Sequence, residues 1–315
     1  MAIDDKSIQT ARMKVIGIGN FGCKILSQVM HNGLEGVDFI AIDGDAHDLA
    51  LSKIPNSILV KENSGASEMD NYPWPVFKIS EESCLAIKQA IADADVLLIV
   101  TGMGGGTGTS SAPIIAEIAK DSGALTIALV SRPFPAEGEH RVKLAEEGIR
   151  SLSTKVDTFI IIRTDSLQGL SGATWNVNRA FQAANDSLVQ TMQALCKTIV
   201  TPGLLGLSLT DINTVMKDAG LGFISLGKGR GENRAIEAAK AALTNPLIDV
   251  RLNEAKKVLF SIIGGSSVTL GECDKAARVI EQGLDPGTDT ILGVVHDPEI
   301  SDGINLVVIG TGFGS

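Results

Sequence analysis

The sequence predicts an α/β protein: a Rossmann-like parallel sheet covered by helices, then one long helix, then a smaller α/β unit. Three observations predict it. From Met13 to about Ile162, short apolar runs alternate with amphipathic stretches, the pattern of strands joined by helical crossovers. The strand-like runs are apolar at nearly every position, as strands buried on both faces are. From Asn176 to Ile199, apolar residues return at three- and four-residue spacing, which marks one amphipathic helix about 35 Å long.

The first strand is expected at Lys14–Ile18, a helix around Lys24–Met30, and a second strand at Val37–Ile42. Glu62–Pro75 is polar, contains proline and reads as a loop. A helix over Glu81–Ala92 leads to the strand Val96–Val100. A helix is expected to open at Ser110 with Pro113 in its first turn, where a missing N–H costs nothing, and to run to Asp121. Strand Ala124–Val130, helix Glu139–Ser153 and strand Thr158–Ile162 follow. The long helix aligns Val177, Ala180, Phe181, Ala184, Leu188, Met192, Leu195 and Ile199, and Pro202-Gly203 ends it. The remainder predicts helices at Asp211–Ala219, Asn233–Leu243 and Gly271–Gly283, with strands at Gly222–Leu226, Lys257–Ile263, Thr290–His296 and Ile304–Gly310. Gly227–Gly231 reads as a mobile loop.

The chain has 315 residues, enough for two domains of ordinary size. Its net charge of −10 argues against sequence-independent nucleic-acid binding. The four cysteines (Cys23, Cys84, Cys196, Cys273) show no CxxC spacing and read as reduced thiols of a cytoplasmic protein. No metal site assembles from the dispersed histidines and cysteines. Charges stand within the first six residues with no apolar core behind them, so no signal peptide is expected. The longest apolar runs are too short to span a bilayer.

The most informative segment is Gly102-Met103-Gly104-Gly105-Gly106-Thr107-Gly108-Thr109, directly after a buried strand and before a helix. Glycines let the backbone approach a ligand closely. The unpaired N–H groups of a helix start converge on an anion. Thr107 and Thr109 add hydroxyls for phosphate oxygens or a magnesium-bound water. No Gly-Lys-Ser/Thr follows, so this is a polyphosphate cradle other than the P-loop. A second cluster, Gly17-Ile18-Gly19-Asn20-Phe21-Gly22, fits GxGxxG, with Asp43 downstream. Alone, that spacing allows a dinucleotide-binding oxidoreductase or a plain tight turn. Two phosphate loops on one sheet favour a nucleoside triphosphate gripped from two sides.

Both loops, with Thr101 to Pro113 as the specific signature, resemble the tubulin/FtsZ superfamily, and FtsZ within it. Arg132-Pro133-Phe134, Glu137-Gly138, Ala183-Ala184-Asn185-Asp186 and Thr214-Val215-Met216 extend the resemblance over nearly the whole chain. It implies a flexible N-terminus at 1–12, a GTP-binding domain over 13–175, a central helix over 176–202 and a C-terminal domain over 203–315 that serves catalysis and assembly. It implies GTP and GDP as ligands, with Mg2+ held through phosphates and water. Gly19, Asn20, Phe21, Gly22, Lys24, Gly102, Gly104, Gly105, Gly106, Thr107, Gly108 and Thr109 would surround the phosphates. Asp43 and Asp45 would lie near ribose and phosphates. Glu137 would bind the ribose and Arg141 the base or phosphate side, with Pro133 among the nucleotide contacts. Asp186 would accept the guanine N–H donors, Phe181 would pack on the base, and Thr164 would stand where an Asn usually helps read it.

Where the family carries glycine and Asn in its first loop, this chain has Phe21 and Lys24, and Lys24 adds a charge near the phosphates. The segment Asn63–Glu68 matches the γ-phosphate-sensing loop poorly. The catalytic loop departs most. In the family it reaches into the neighbour's nucleotide site with an Asn and two acids; here Gly206, Ser208 and Asp211 stand there. Asp211 would order the attacking water, with Ser208 as a weaker partner. Both would also suit a helix N-cap and its acidic first turn. Losing one such group typically costs on the order of 10²- to 10³-fold, so slow, assembly-dependent GTP hydrolysis is expected. The implied partner is the chain itself, head to tail, with neither nucleic acid nor membrane insertion. The alternatives are a non-hydrolysing GTP-binding filament protein that co-assembles with another FtsZ and, more remotely, the NAD-dependent oxidoreductase. The chain stops at Ser315, where the family usually continues into a linker and a partner-binding peptide.

Overall fold

The computed structural model describes residues 11–61, 79–162, 177–201, 203, 205–244 and 252–313. Among them the first half forms β1 (Met13–Ile18), α1 (Gly19–His31), β2 (Val37–Asp43), α2 (Ala46–Ser52), β3 (Asn56–Leu59), α3 (Glu81–Ile91), β4 (Val96–Gly102), α4 (Gly106–Asp121), β5 (Leu125–Ser131), α5 (Glu139–Ser153) and β6 (Thr158–Ile162). The long helix is α6 (Val177–Val200). After it come α7 (Leu209–Met216), β7 (Gly220–Gly229), α8 (Arg234–Leu243), β8 (Lys257–Gly264), α9 (Leu270–Gln282), β9 (Asp289–His296) and β10 (Ile304–Thr311).

All ten strands join one sheet in the order β3-β2-β1-β4-β5-β6-β7-β10-β8-β9. The strands from β3 to β7 are mutually parallel, and Thr158 of β6 pairs with Gly220 of β7, so the sheet continues unbroken into the second half. β10 lies antiparallel between β7 and β8, and β9 runs parallel to β8.

Strand alternation sorts the core into layers. Val15, Leu98 and Leu129 face α1 and α6, whose Leu26, Leu188, Met192, Leu195 and Ile199 complete one cluster. Ile16, Leu97, Ile99 and Ala128 face α3, α4 and α5. The first cluster extends onto Leu259, Ile263, Val307 and Ile309, so α6 packs against both halves of the sheet. Phe260, Leu306 and Val308 face α8 and α9.

The short helix α7 is tied down at its C-terminal end. The Thr158 hydroxyl donates to Met216 O, Thr311 Oγ1 to Val215 O at 2.6 Å, and Lys257 Nζ to Thr214 O at 2.8 Å. These donors satisfy carbonyls that a helix end leaves unpaired.

Three expectations need correction. α4 begins at Gly106, not Ser110. The glycine turn winds directly into helix, so Pro113 lies inside α4, where the Thr109 carbonyl loses its helical partner. Gly227 and Gly229 belong to β7. A Cβ there would meet Ala238 O and Arg234 O at 1.9 Å, so these glycines let α8 lie close on the strand. Finally, β3 and α2 were not expected. The Pro202 helix stop and the loop Glu62–Pro75 lie outside the described residues.

Candidate functional site

The strand order reverses direction between β1 and β4, because the chain winds outward from β1 to β2 and β3 and then returns to β4 on the other side. The crossover helices α1 and α4 leave these strands toward opposite faces. Such a switch point opens a crevice at the carboxyl ends of the strands. A cavity of about 370 Å³ occupies it, within the roughly 300–1,000 Å³ range of small-molecule sites.

The N-terminal ends of α1 and α4 both border this cavity. The N-cap positions, Ile18 and Gly105, offer no side-chain cap. The first-turn amides of both helices therefore remain available to an anion, with two helix dipoles behind them. Gly104 takes φ +92, which turns the backbone into the helix, and its N–H donates to Thr109 Oγ1 at 2.9 Å. A Cβ on Gly105 would meet nothing within 4 Å, so the cradle is open at that point. Thr101 Oγ1 donates to Ile18 O at 3.1 Å and ties the two loops together. The arrangement suits a polyphosphate.

A third wall follows β5. Ser131, Arg132, Pro133 and Phe134 line the cavity with Glu137 and Arg141. Glu137 Oε1 accepts the Phe134 N–H at 2.8 Å, and Oε2 pairs with Arg141 Nη1 at 3.0 Å. Arg132 reaches Glu146 at 3.2 Å. Lys24, one helical turn beyond Asn20, also lines the cavity. Its Cβ tilts toward the start of α1, so the side chain leans back over the loop.

The structure thus gathers Gly19, Asn20, Phe21, Lys24, Gly102, Gly105, Gly106, Thr107, Gly108, Pro133, Glu137 and Arg141 of the expected residues around one cavity. It places others behind the lining. Gly22 packs on β4, where a Cβ would meet Val100 O at 2.3 Å. Thr109 is buried with its hydroxyl held by Gly104. Asp45 caps α2 by accepting the His47 N–H at 2.7 Å. Asp43 is buried at the end of β2, and its Oδ1 accepts the Gly44 N–H at 2.7 Å. Its Oδ2 has no hydrogen-bond partner. Burial pushes this carboxyl up, opposed by the Asp45 and Gly44 amides and the Thr107 hydroxyl. A hard cation among phosphate oxygens and water suits such an oxygen. Among the described residues no three His, Cys, Asp or Glu side chains are grouped to hold a metal ion.

From α6 the cavity lining takes Asn185, while Asp186 is exposed. Thr164 and the Phe181 side chain lie outside the described residues. Sequence reasoning did not select Met103, Ser131, Arg132, Phe134 or Asn185. Each had a signal: they neighbour selected residues, and 131 to 134 end a strand beside the switch point.

Ser208 and Asp211 lie elsewhere, at the start of α7. Leu209, Asn213 and Lys217, at and just beyond α7, line a separate polar cleft with Arg12, Asp95 and Asp157. Those partners mark the amino ends of β1, β4 and β6, opposite the cavity.

Comparison with known proteins agrees with this geometry. Residues 12–172 match the tubulin/FtsZ family GTPase domain, and residues 220–314 match the FtsZ family C-terminal domain. The chain belongs to the tubulin/FtsZ family. It is 38% identical over 306 residues to the cell division protein FtsZ 1 of Thermococcus kodakarensis, covering 97% of this chain and 82% of that protein. The solved structure of an empty FtsZ dimer from M. jannaschii superposes with a TM-score of 0.87 at 32% identity, over 99% of this chain and 93% of that one. GDP-bound monomeric CetZ1 from Haloferax volcanii shares the fold, with a TM-score of 0.78 at 19% identity over 96% and 95% of the two chains. Among the described residues, no helix is long and apolar enough to cross a membrane.

Proposed function

We propose that this FtsZ-type GTPase binds GTP in the cavity between α1 and α4. Copies join head to tail in a cytoplasmic filament, and the Ser208–Asp211 loop of one copy completes the cavity of the next. One observation carries this reading. The cavity lies at the carboxyl ends of the strands, and α7 borders the amino ends. The seven residues of β4 separate them by about 20 Å at roughly 3.3 Å per residue. A single copy cannot bring Asp211 to its own cavity. A second copy stacked along the strand direction can, and such a heterologous contact propagates into a filament unless the rotation closes a ring.

The first-turn amides of α1 and α4, with Lys24 and Thr107, would hold the phosphates. Thr107 and Asp43 would stand nearest a Mg2+ ion brought in with the nucleotide, and such an ion would supply positive charge for the phosphoryl transfer. Pro133, Glu137 and Arg141 would meet the ribose and base end, with Asn185 and Asp186 of α6 beyond. Functionally, 13–175 would be the GTP-binding domain, 176–202 the connecting helix and 203–315 the catalytic-loop and assembly domain. With one carboxylate in the loop, hydrolysis is slow.

Sedimentation with GTP, GDP and no nucleotide, with phosphate release followed in the same samples, tests the proposal. Pelleting with GTP and concentration-dependent phosphate release is the expected result. Polymer without release would leave a filament protein that does not hydrolyse. No polymer under any condition would defeat the head-to-tail reading.

A further inference from the structure

Ser208 is the N-cap of α7 and is extended at φ −82, ψ 159. Its Oγ accepts the Asp211 N–H at 3.1 Å. Its own hydroxyl donates to Asp211 Oδ2 at 2.6 Å, and its backbone N–H donates to the same oxygen at 2.8 Å. A serine hydroxyl has one proton, and here that proton is spent on Asp211. Asp211 Oδ1 receives no hydrogen bond from the described residues. Because the other end of α7 is fixed by Thr158, Thr311 and Lys257, the carboxylate is set on a rigid mount.

We infer that Ser208 is a positioning residue that clamps Oδ2 of Asp211 and leaves Oδ1 as the single acceptor presented to the neighbouring copy. The inference rests on the proposed function, in which Asp211 acts across the contact. It reassigns Ser208 from ordering water to orienting the group that does. A carboxylate at position 208 could cap the helix but has no proton to donate to Asp211. The hydroxyl clamp is therefore a feature of a loop with one acid. It matters because a misplacement of about 1 Å can cost on the order of 10²-fold in rate.

The test separates clamp from cap. Gly is tolerated at an N-cap at small cost to the helix and has no side-chain donor, whereas an Asn amide could still donate to Asp211. Phosphate release per pelleted subunit is measured for wild type, S208G, S208T, D211N and S208G/D211N. S208G is expected to lose little in melting temperature and about tenfold or more in release per pelleted subunit, while S208T recovers most of it. In the D211N background S208G adds no further loss, because a residue acting through Asp211 has nothing left to act on. A variant that does not pellet alone is mixed with wild type and read per pelleted subunit. S208G turning over like wild type would overturn the inference, and so would S208G and D211N losses that multiply. Wild-type polymer that releases no phosphate would instead defeat the proposed function, independently of Ser208.

Discussion

Arg234 and Glu272 give a stability prediction whose size follows from the geometry. Arg234, at the start of α8, is buried beside β7. Its Nε and Nη2 meet the two oxygens of Glu272 at 2.6 and 3.1 Å, and its Nη1 and Nη2 also reach Ser267 Oγ and O at 3.0 and 2.9 Å. Glu272 also accepts from the Thr269 N–H and hydroxyl at 2.9 and 3.0 Å, which caps α9. Arg234 is the main reason that the Glu272 carboxyl falls from 4.5 to about 2, with the Thr269 donors adding to it against burial. Each tenfold preference for the charged form is worth about 1.4 kcal/mol, so the carboxylate stabilises the fold by about 3 kcal/mol near neutrality. Because its pKa in the folded state lies below the unfolded one, this stability is complete above about 4.5 and is lost as pH falls through 2.

E272Q keeps the shape and removes the charge. Urea unfolding followed by circular dichroism should show a deficit of about 3 kcal/mol at pH 7. The deficit should shrink below pH 4.5 and be nearly gone by pH 2. R234K should fall between wild type and R234A, since an ammonium cannot reproduce the two-pronged contact. A deficit that does not change with pH, or none at pH 7, would refute the reasoning.

K24N should weaken GTP binding on the order of tenfold, more at low Mg2+ than at high, because a charge-assisted contact to phosphate is worth roughly 1.5–3 kcal/mol; equilibrium binding of a fluorescent GTP analogue at two Mg2+ concentrations checks this. D43N should stabilise the nucleotide-free protein at pH 7, because burial raises the Asp43 carboxyl and so penalises its charged form. That advantage should disappear as pH falls through the carboxylate range, as thermal melts at several pH values would show. T311V should leave the Val215 carbonyl without its donor and cost roughly 1–3 kcal/mol, read as a lower urea midpoint.

Most of the fold was legible because buried parallel strands leave continuous apolar runs and α6 leaves a long stripe. What was missed has physical causes. β3 is a four-residue edge strand with mostly exposed side chains, so Asn56-Ser57-Ile58-Leu59 carries no buried-strand pattern. α2 is seven residues long, capped by Asp45 and closed by Lys53 at φ 54; two turns show too little periodicity. The start of α4 is hard to read because Ser110 and Pro113 look like helix-start residues, while its first turn consists of glycine, threonine, glycine and threonine. Gly227 and Gly229 read as a loop in the sequence because their reason to exist, the close approach of α8, is a tertiary contact. At the site, the glycine loops declared themselves. Asn185 lines the cavity while its neighbour Asp186 is exposed, a difference set by the rotation of α6 that adjacent sequence positions do not show.

The separation of cavity and loop has a consequence for rate. If Asp211 must come from the next copy, every hydrolytic event requires a contact, and every contact with GTP still in it is one whose chemistry has not yet occurred. The lifetime of the triphosphate-bound contact is then set by how well one carboxylate orders a water. In this chain that carboxylate is alone, held by a serine on a helix whose far end is fixed by two buried threonines and a lysine. Rigidity preserves the geometry but cannot replace a missing negative charge, since positioning and electrostatics contribute separately to phosphoryl transfer. The filament should therefore retain GTP at its contacts long after assembly, and S208D, which adds a carboxylate but breaks the clamp, sets the two contributions against each other. Phosphate release per pelleted subunit above wild type would mean that charge limits turnover, and release below it that orientation does.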